Sequence, residues 1–303
     1  MKNIFLVVFS MTSGLMASAQ TIPGVIETQL DALINREGYR TYDDTVTLNA
    51  VRDYIVDEFS THADVTYRQD YLVNGVTYSN VIALVGDTTL PRIIVGAHYD
   101  VCENQHGADD NGTGVVGLFQ ALEQLKDYSS EDYCIEFVAY TLEEPPFFRT
   151  TKMGSYIHAK SLHARGIEVH GMLSLEMIGY FSTEKKSQHY PIGILKLFYG
   201  GKGDYITVVR KMNKGKFARK FSRKYKHSKT IKTKKFTAPQ SLPGIDFSDH
   251  LNYWALGYDA IMLTDTAFFR NANYHQGTDT IDTIDFDRMA KVIDGLVNTL
   301  ELL

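Results

Sequence analysis

Apolar residues recur along the chain at two alternating periods, and that alternation carries the first structural prediction. Helical spacing predicts helices over 24–36 and 47–61, the second through Val51, Ile55 and Phe59. Apolar runs at 80–85 and 92–97, divided by a turn-forming stretch at 87–91, predict two strands. Val115, Leu118, Phe119, Leu122 and Leu125 line one stripe of a helix over 113–127. A strand at 133–141, a helix near 151–165 and a strand at 169–176 follow. Gly257 closes a further helix ahead of a strand at 260–263, and a last helix over about 285–301 shows Met289, Val292, Ile293, Leu296 and Leu300 on one face. Strands interleaved with helices of this length predict an α/β fold: a mixed, largely parallel central sheet with helices on both faces. With no internal repeat and no Ser/Gly linker, 20–303 is expected to form one catalytic-sized domain.

The first nineteen residues break this pattern. Lys2, an apolar run from Ile4 to Phe9, and Ala17-Ser18-Ala19 have the layout of a secretory signal cleaved after Ala19, which predicts a secreted or periplasmic protein. Ser10, Thr12, Ser13 and Gly14 interrupt a stretch already short for a membrane span. Export would permit a disulfide between the two cysteines, Cys102 and Cys134, and is equally compatible with two buried free thiols.

Composition adds little to the α/β prediction, but charge does. The 303 residues sum to a formal charge of −5, which gives no reason to expect a nucleic-acid partner. Yet Lys202 to Lys235 carries fourteen Lys or Arg against one acid, Asp204. Phe217, Phe221 and Tyr225 recur there at four-residue steps, so an amphipathic helix is predicted whose apolar stripe docks on the body. Its cationic face is either simply solvated or able to make a weak contact with an anionic surface.

Candidate chemistry gathers where the predicted strands end, which is where open α/β sheets collect ligands. His98 and Asp100 follow one strand, Asp109 and Asp110 precede a helix, and Glu143 and Glu144 end the next strand. Glu176 ends another, Asp265 follows the strand at 260–263, and His275 and Asp279 lie in the loop beyond. Imidazole with carboxylate, and no thiolate, suits a catalytic zinc site. The set exceeds the three protein ligands one catalytic zinc needs and matches two ions sharing a bridging carboxylate, with one carboxylate left over as general base. Asp100, two residues past His98, is placed to fix the imidazole from behind.

The ordered set His98-Tyr-Asp100, Gly107-Ala-Asp-Asp110-Asn-Gly-Thr-Gly114, Glu143-Glu144, Glu176, Ser248-Asp-His250 and His275 resembles the M28 family of zinc-dependent exopeptidases, from about Ser79 to the C-terminus. That resemblance implies a zinc-exopeptidase (phosphorylase/hydrolase-like) fold and a secreted aminopeptidase with two zinc ions. It makes Asp110 the bridging ligand, with His98 and Glu176 on one ion and Glu144 and His275 on the other, and Glu143 the general base. The substrate would be a peptide with a free N-terminus, its amine held by acids of the site, Asp249 among the candidates. The chain departs from the family after Glu144. Pro145-Pro146-Phe147-Phe148 opens a longer loop that could present Phe147 and Phe148 to a substrate, and Arg270 could pair with a substrate carboxylate.

Two alternatives accompany this reading. Glutaminyl cyclases resemble the same family, use one zinc and carry a long loop after the Glu pair, although Tyr274 stands here where those cyclases have tryptophan. A binding protein on a peptidase scaffold is the other, disfavoured because the ligand set and Glu143 are all present. Gly112-Thr-Gly114-Val-Val-Gly117 spells a dinucleotide fingerprint, but the carboxylates just before it would repel a pyrophosphate. No Gly-x-Ser-x-Gly occurs to support serine chemistry.

Overall fold

The computed structural model describes residues 20–212 and 215–303, so the expected signal segment lies outside the described residues. Two helices lead, α1 (Pro23–Ile34) and α2 (Thr45–His62), and then strands and helices alternate. The strands are β1 (Val65–Val73), β2 (Val76–Val85), β3 (Arg92–His98), β4 (Cys134–Tyr140), β5 (Val169–Glu176), β6 (Ile206–Lys211), β7 (Thr233–Ala238) and β8 (Ala260–Thr264). Between them run α3 (Gly114–Gln124), α4 (Gly154–Ala164), the short α5 (Leu195–Tyr199), α6 (Lys216–Ser228) and α7 (His250–Ala255), and α8 (Phe286–Leu300) closes the chain.

All eight strands join one sheet in the order β1-β2-β4-β3-β5-β8-β6-β7. The central four, β4-β3-β5-β8, are parallel, while β1-β2, β2-β4 and β6-β8 pair antiparallel. The mixed, largely parallel sheet is the one expected. The strands' near-continuous apolar runs follow from burial on both faces. Ile93, Val95 and Ala97 of β3 join the core beneath α1, α2, α3, α6 and α8, whereas Ile94 joins a second cluster beneath α4 and α7. Among the described residues no helix is long and apolar enough to cross a membrane.

Two features depart from expectation, and the cysteines settle a choice left open. Strand β1 is half exposed and was not predicted; it pairs with β2 through Asn74-Gly75, both at positive φ (52° and 86°), as a two-residue hairpin turn requires. The basic tract is a strand–helix–strand unit, β6-α6-β7, with the predicted helix at its centre. Phe217, Phe221 and Tyr225 are buried there; Phe217 lies where Gly171 of β5 leaves room for its ring, and the Tyr225 hydroxyl donates to the Val292 carbonyl at 3.0 Å. The cysteines are both free. Cys134 begins β4 beside Arg92, and Cys102 lies beyond the far end of parallel β3. Six steps at about 3.3 Å separate those ends, well beyond disulfide reach.

Candidate metal centre

The register of the parallel strands brings the sequence-distant acids and histidines together. His98 ends β3 level with Tyr140 of β4, and Glu176 ends β5 level with Thr264 of β8. The loops leaving these ends carry Asp110, Glu143, Glu144 and His275 into one buried cluster. Non-glycine residues at positive φ sit at three of its corners: Leu142 before the Glu pair, Met177 after Glu176, and His275 itself (61°, 52° and 55°). Conformations of this kind persist where surrounding contacts over-determine them.

Asp110 stands at the centre of the cluster. Its Oδ1 lies 3.5 Å from His98 Nε2, which is 3.6 Å from Glu176 Oε2. Its Oδ2 lies 3.2 Å from His275 Nε2, which is 3.2 Å from Glu144 Oε2. Tetrahedral zinc with bonds of about 2.0–2.1 Å places its nitrogen and oxygen donors about 3.3 Å apart, close to the imidazole–carboxylate distances found here. Asp110 Oδ2, Glu144 Oε1, Glu176 Oε2 and His275 Nε2 are buried atoms without a hydrogen-bond partner. Buried polar atoms otherwise cost free energy, and a cation would satisfy these. The donor set therefore fits divalent metal ions, zinc among them.

Electrostatics agree. Burial, with His98 easing it and Glu144 and Glu176 adding to it, pushes the Glu143 carboxyl well above the usual range. Burial and the Asp110 charge push Glu144 up to about 7, partly offset by His275. Burial opposes the Asp110 charge, but His275 and His98 hold that carboxyl below the ordinary range. Such crowding is what dications relieve.

A supporting layer fixes this geometry. The Asp100 carboxylate accepts from the Glu143 and Glu144 backbone N–H groups at 3.2 and 3.0 Å. It stands 3.7 Å from His98 Nδ1, whose nearer partner is the Asp100 carbonyl at 3.1 Å. Asp100 thus positions the glutamate pair as well as the imidazole. Asp279 accepts from the Asp109 and Asp110 N–H groups at 3.0 Å each, and Asn111 accepts from Met177 N at 3.0 Å while donating to the Leu175 carbonyl at 2.8 Å. The Tyr274 ring stacks on His275 at 3.8 Å between centroids. Nothing in the local sequence around Asn111 or Tyr274 announces these roles.

The expected substrate contacts fare differently. Phe147 is buried in the core with its ring edge-on to Tyr42, so it supports the loop from below. Phe148 is half buried against Phe247 at 5.8 Å, and the Arg149 guanidinium lies over both rings. Arg270 donates to Gln188 Oε1, the Tyr205 carbonyl and the Tyr180 carbonyl at 2.9, 2.8 and 3.2 Å. It is a buried brace with its donors engaged, in place of the substrate-carboxylate partner expected. Asp249 is wholly buried among the charges of His98, Glu176 and Asp100, and burial pushes it up to about 7. A cavity opens beside Glu176, walled by Tyr190, Tyr199, Tyr205, Phe236, Phe247 and Phe268. The basic tract supplies Tyr205, Thr207 and Val209 to this wall, and Phe236 follows it directly. Cys102 also belongs to the cluster: its sulfur lies within 4.8 Å of donor atoms of Glu144 and His275.

Comparison with known proteins agrees with this architecture. An uncharacterised protein of Escherichia coli (strain K12), YfbL, is 39% identical over 86% of this chain and 82% of its own. A probable leucine aminopeptidase 1 of Trichophyton verrucosum is 29% identical over 73% of this chain, and the match spans 57% of that relative's length. Among solved structures, the LapA aminopeptidase of Legionella pneumophila superposes with a TM-score of 0.72 at 17% identity, covering 93% of this chain and 72% of that one. A glutaminyl cyclase of Bacteroides thetaiotaomicron does so with 0.69 at 16% identity, covering 94% and 99%. The model of Peptidase family M28 matches residues 80–300, which hold every residue of the centre described above, and the chain belongs to that family.

Proposed function

We propose that the protein is a metal-dependent aminopeptidase that removes N-terminal residues from peptides at a two-zinc centre. The observation that carries this reading is Asp110, whose two oxygens each face a separate imidazole–carboxylate pair. His98, Asp110 and Glu176 would hold one ion, and Asp110, Glu144 and His275 the other. Bound there, two dications would supply a polarised scissile carbonyl and a water more acidic than bulk water. Glu143 lies 3.9 Å from His98 and is not a member of either triad. A carboxylate placed there suits a base that takes the proton of water and returns it to the departing amine. Asp100 keeps the Glu143 and Glu144 backbones in place throughout. The cavity beside Glu176 would receive the first side chain of the substrate, and its aromatic walls favour a large apolar one.

Incubating the protein with free and N-acetylated peptides, with and without chelator, and reading masses tests this. Stepwise loss of residues only from free N-termini, stopped by chelation, is expected. A second reading, glutaminyl cyclisation, is favoured by the long loop after Glu144. Loss of ammonia from an N-terminal glutamine, without chain shortening, would establish that reading and displace the first.

A further inference from the structure

We infer that Cys102 is a sulfur ligand of the metal held at the Glu144–His275 end of the centre. This rests on the two-metal reading above and extends the donor set by a residue outside both triads. Four observations carry it. Cys102 follows His98 by four residues in the loop leaving β3, and it is buried and not in a disulfide. Its sulfur, a Glu144 oxygen and a His275 nitrogen fall within 4.8 Å of one another. A zinc shell with bonds of about 2.3 Å to sulfur and about 2.0 Å to nitrogen needs them about 3.5 Å apart, and one cysteine rotamer step moves the sulfur by more than that difference. Finally, Glu144 Oε1 and Asp110 Oδ2, on side chains more than nine-tenths buried, have no hydrogen-bond partner.

Coordination would convert the thiol to a thiolate, its proton leaving to solvent as the sulfur–metal bond forms. The two ends of the centre then differ in kind. The His98 end offers only oxygen and nitrogen, whereas the His275 end adds a soft donor that favours zinc or cobalt over magnesium, calcium or manganese. Four protein donors would also leave that ion the more enclosed of the two, with the His98 end freer to admit water. A polar depression bordered by Thr41, Asp43, Glu103, Asn104 and Gln276 reaches Cys102 and His275 from solvent, so reagents can approach the sulfur from that side.

Cobalt titration of the metal-stripped full chain reads this directly, with no need of turnover. A near-ultraviolet sulfur-to-cobalt charge-transfer band is expected in the wild type and in Cys134→Ser, and its loss in Cys102→Ser. Affinity for the tighter zinc equivalent should fall at least about tenfold in Cys102→Ser. Zinc should likewise slow iodoacetamide labelling of Cys102 in the wild type, followed by peptide mass. Two cobalt equivalents bound with no band, or a band that persists in Cys102→Ser, overturns the cysteine assignment and leaves the two-metal reading standing. One equivalent without a band overturns both. One equivalent with a Cys102-dependent band keeps the sulfur ligand and removes the second ion. Labelling indifferent to zinc also counts against the assignment.

Discussion

Asp110 faces two imidazoles at once, and Glu143 stands beside them as a carboxylate outside both triads. Their roles separate under mutation. Glu143→Gln keeps the shape and the metals but cannot take a proton, so turnover should fall about 10²- to 10⁴-fold at unchanged metal content. Unimpaired turnover would remove Glu143 as the base. Asp100→Asn keeps the size of a side chain that accepts two backbone N–H groups, and it puts a donor where an acceptor is needed. Metal affinity should fall about 10- to 100-fold, read by competition with a chromophoric chelator; an unchanged affinity would mean the Glu pair holds itself. The triad residues were legible in the sequence because their types and strand-end positions are chemical. Arg270 and Phe147 were not, because whether a guanidinium faces a substrate or a carbonyl such as that of Tyr205 depends on contacts far away in the chain. Cys102 was passed over for the same reason: only folding brings it beside His275, 173 positions later.

At the scale of elements, β4 carries an unusual burden. Glu136 is fully buried within the sheet layer facing α4, paired with Arg92 of β3 and with His158 Nε2 of α4 at 2.7 Å. His158 Nδ1 meets the Tyr253 hydroxyl of α7, also at 2.7 Å. This polar chain ties two strands to both helices of that face. Burial works against the Glu136 charge, yet His158 and Arg92 hold its pKa below the usual 4.5. A carboxylate with a lowered folded pKa stabilises above its unfolded value and loses that contribution as pH falls through the lower one. Glu136→Ala would leave Arg92 buried and uncompensated, and denaturant unfolding at neutral pH should show a loss of about 3–5 kcal/mol. A loss under about 1 kcal/mol would show the ion pair to be dispensable. The elements themselves were read from apolar periodicity with ends shifted by a few residues. Strand β1 escaped because only one of its faces is covered, so half its residues are polar and no continuous apolar run marks it.

Across the whole molecule, charge and acid sensitivity are unevenly spread. His250 is entirely buried, its Nε2 2.9 Å from the Ile245 carbonyl, and burial lowers its pKa to about 4 from 6.5. A histidine neutral when folded and protonated when unfolded contributes fully above pH 6.5 and progressively less as pH falls to about 4. Melting temperature should therefore decline over that window more steeply in the wild type than in His250→Gln; parallel curves would show that His250 does not set the slope. The basic tract resolves into α6, whose aromatic residues face the core, and β6 and β7, which place their basic residues at one end of the sheet order. We propose that the basic tract makes a weak, salt-sensitive contact with anionic surfaces. Sedimentation of the full chain with phosphatidylglycerol vesicles at low and high salt checks this, and salt-independent or absent binding would reject it.

The ends of β3, β4 and β5 and the loop beyond β8 meet at Asp110, and the residues that converge there come from positions 98 to 275. Ions seated at that junction would act as removable clasps between distant stretches of backbone, favouring the closed chain by mass action. Starving the protein of metal should then do more than silence it: the loops at those strand ends would loosen and become easier for other proteases to cut. A peptidase of this build would owe part of its own resistance to digestion to the same ions with which it digests.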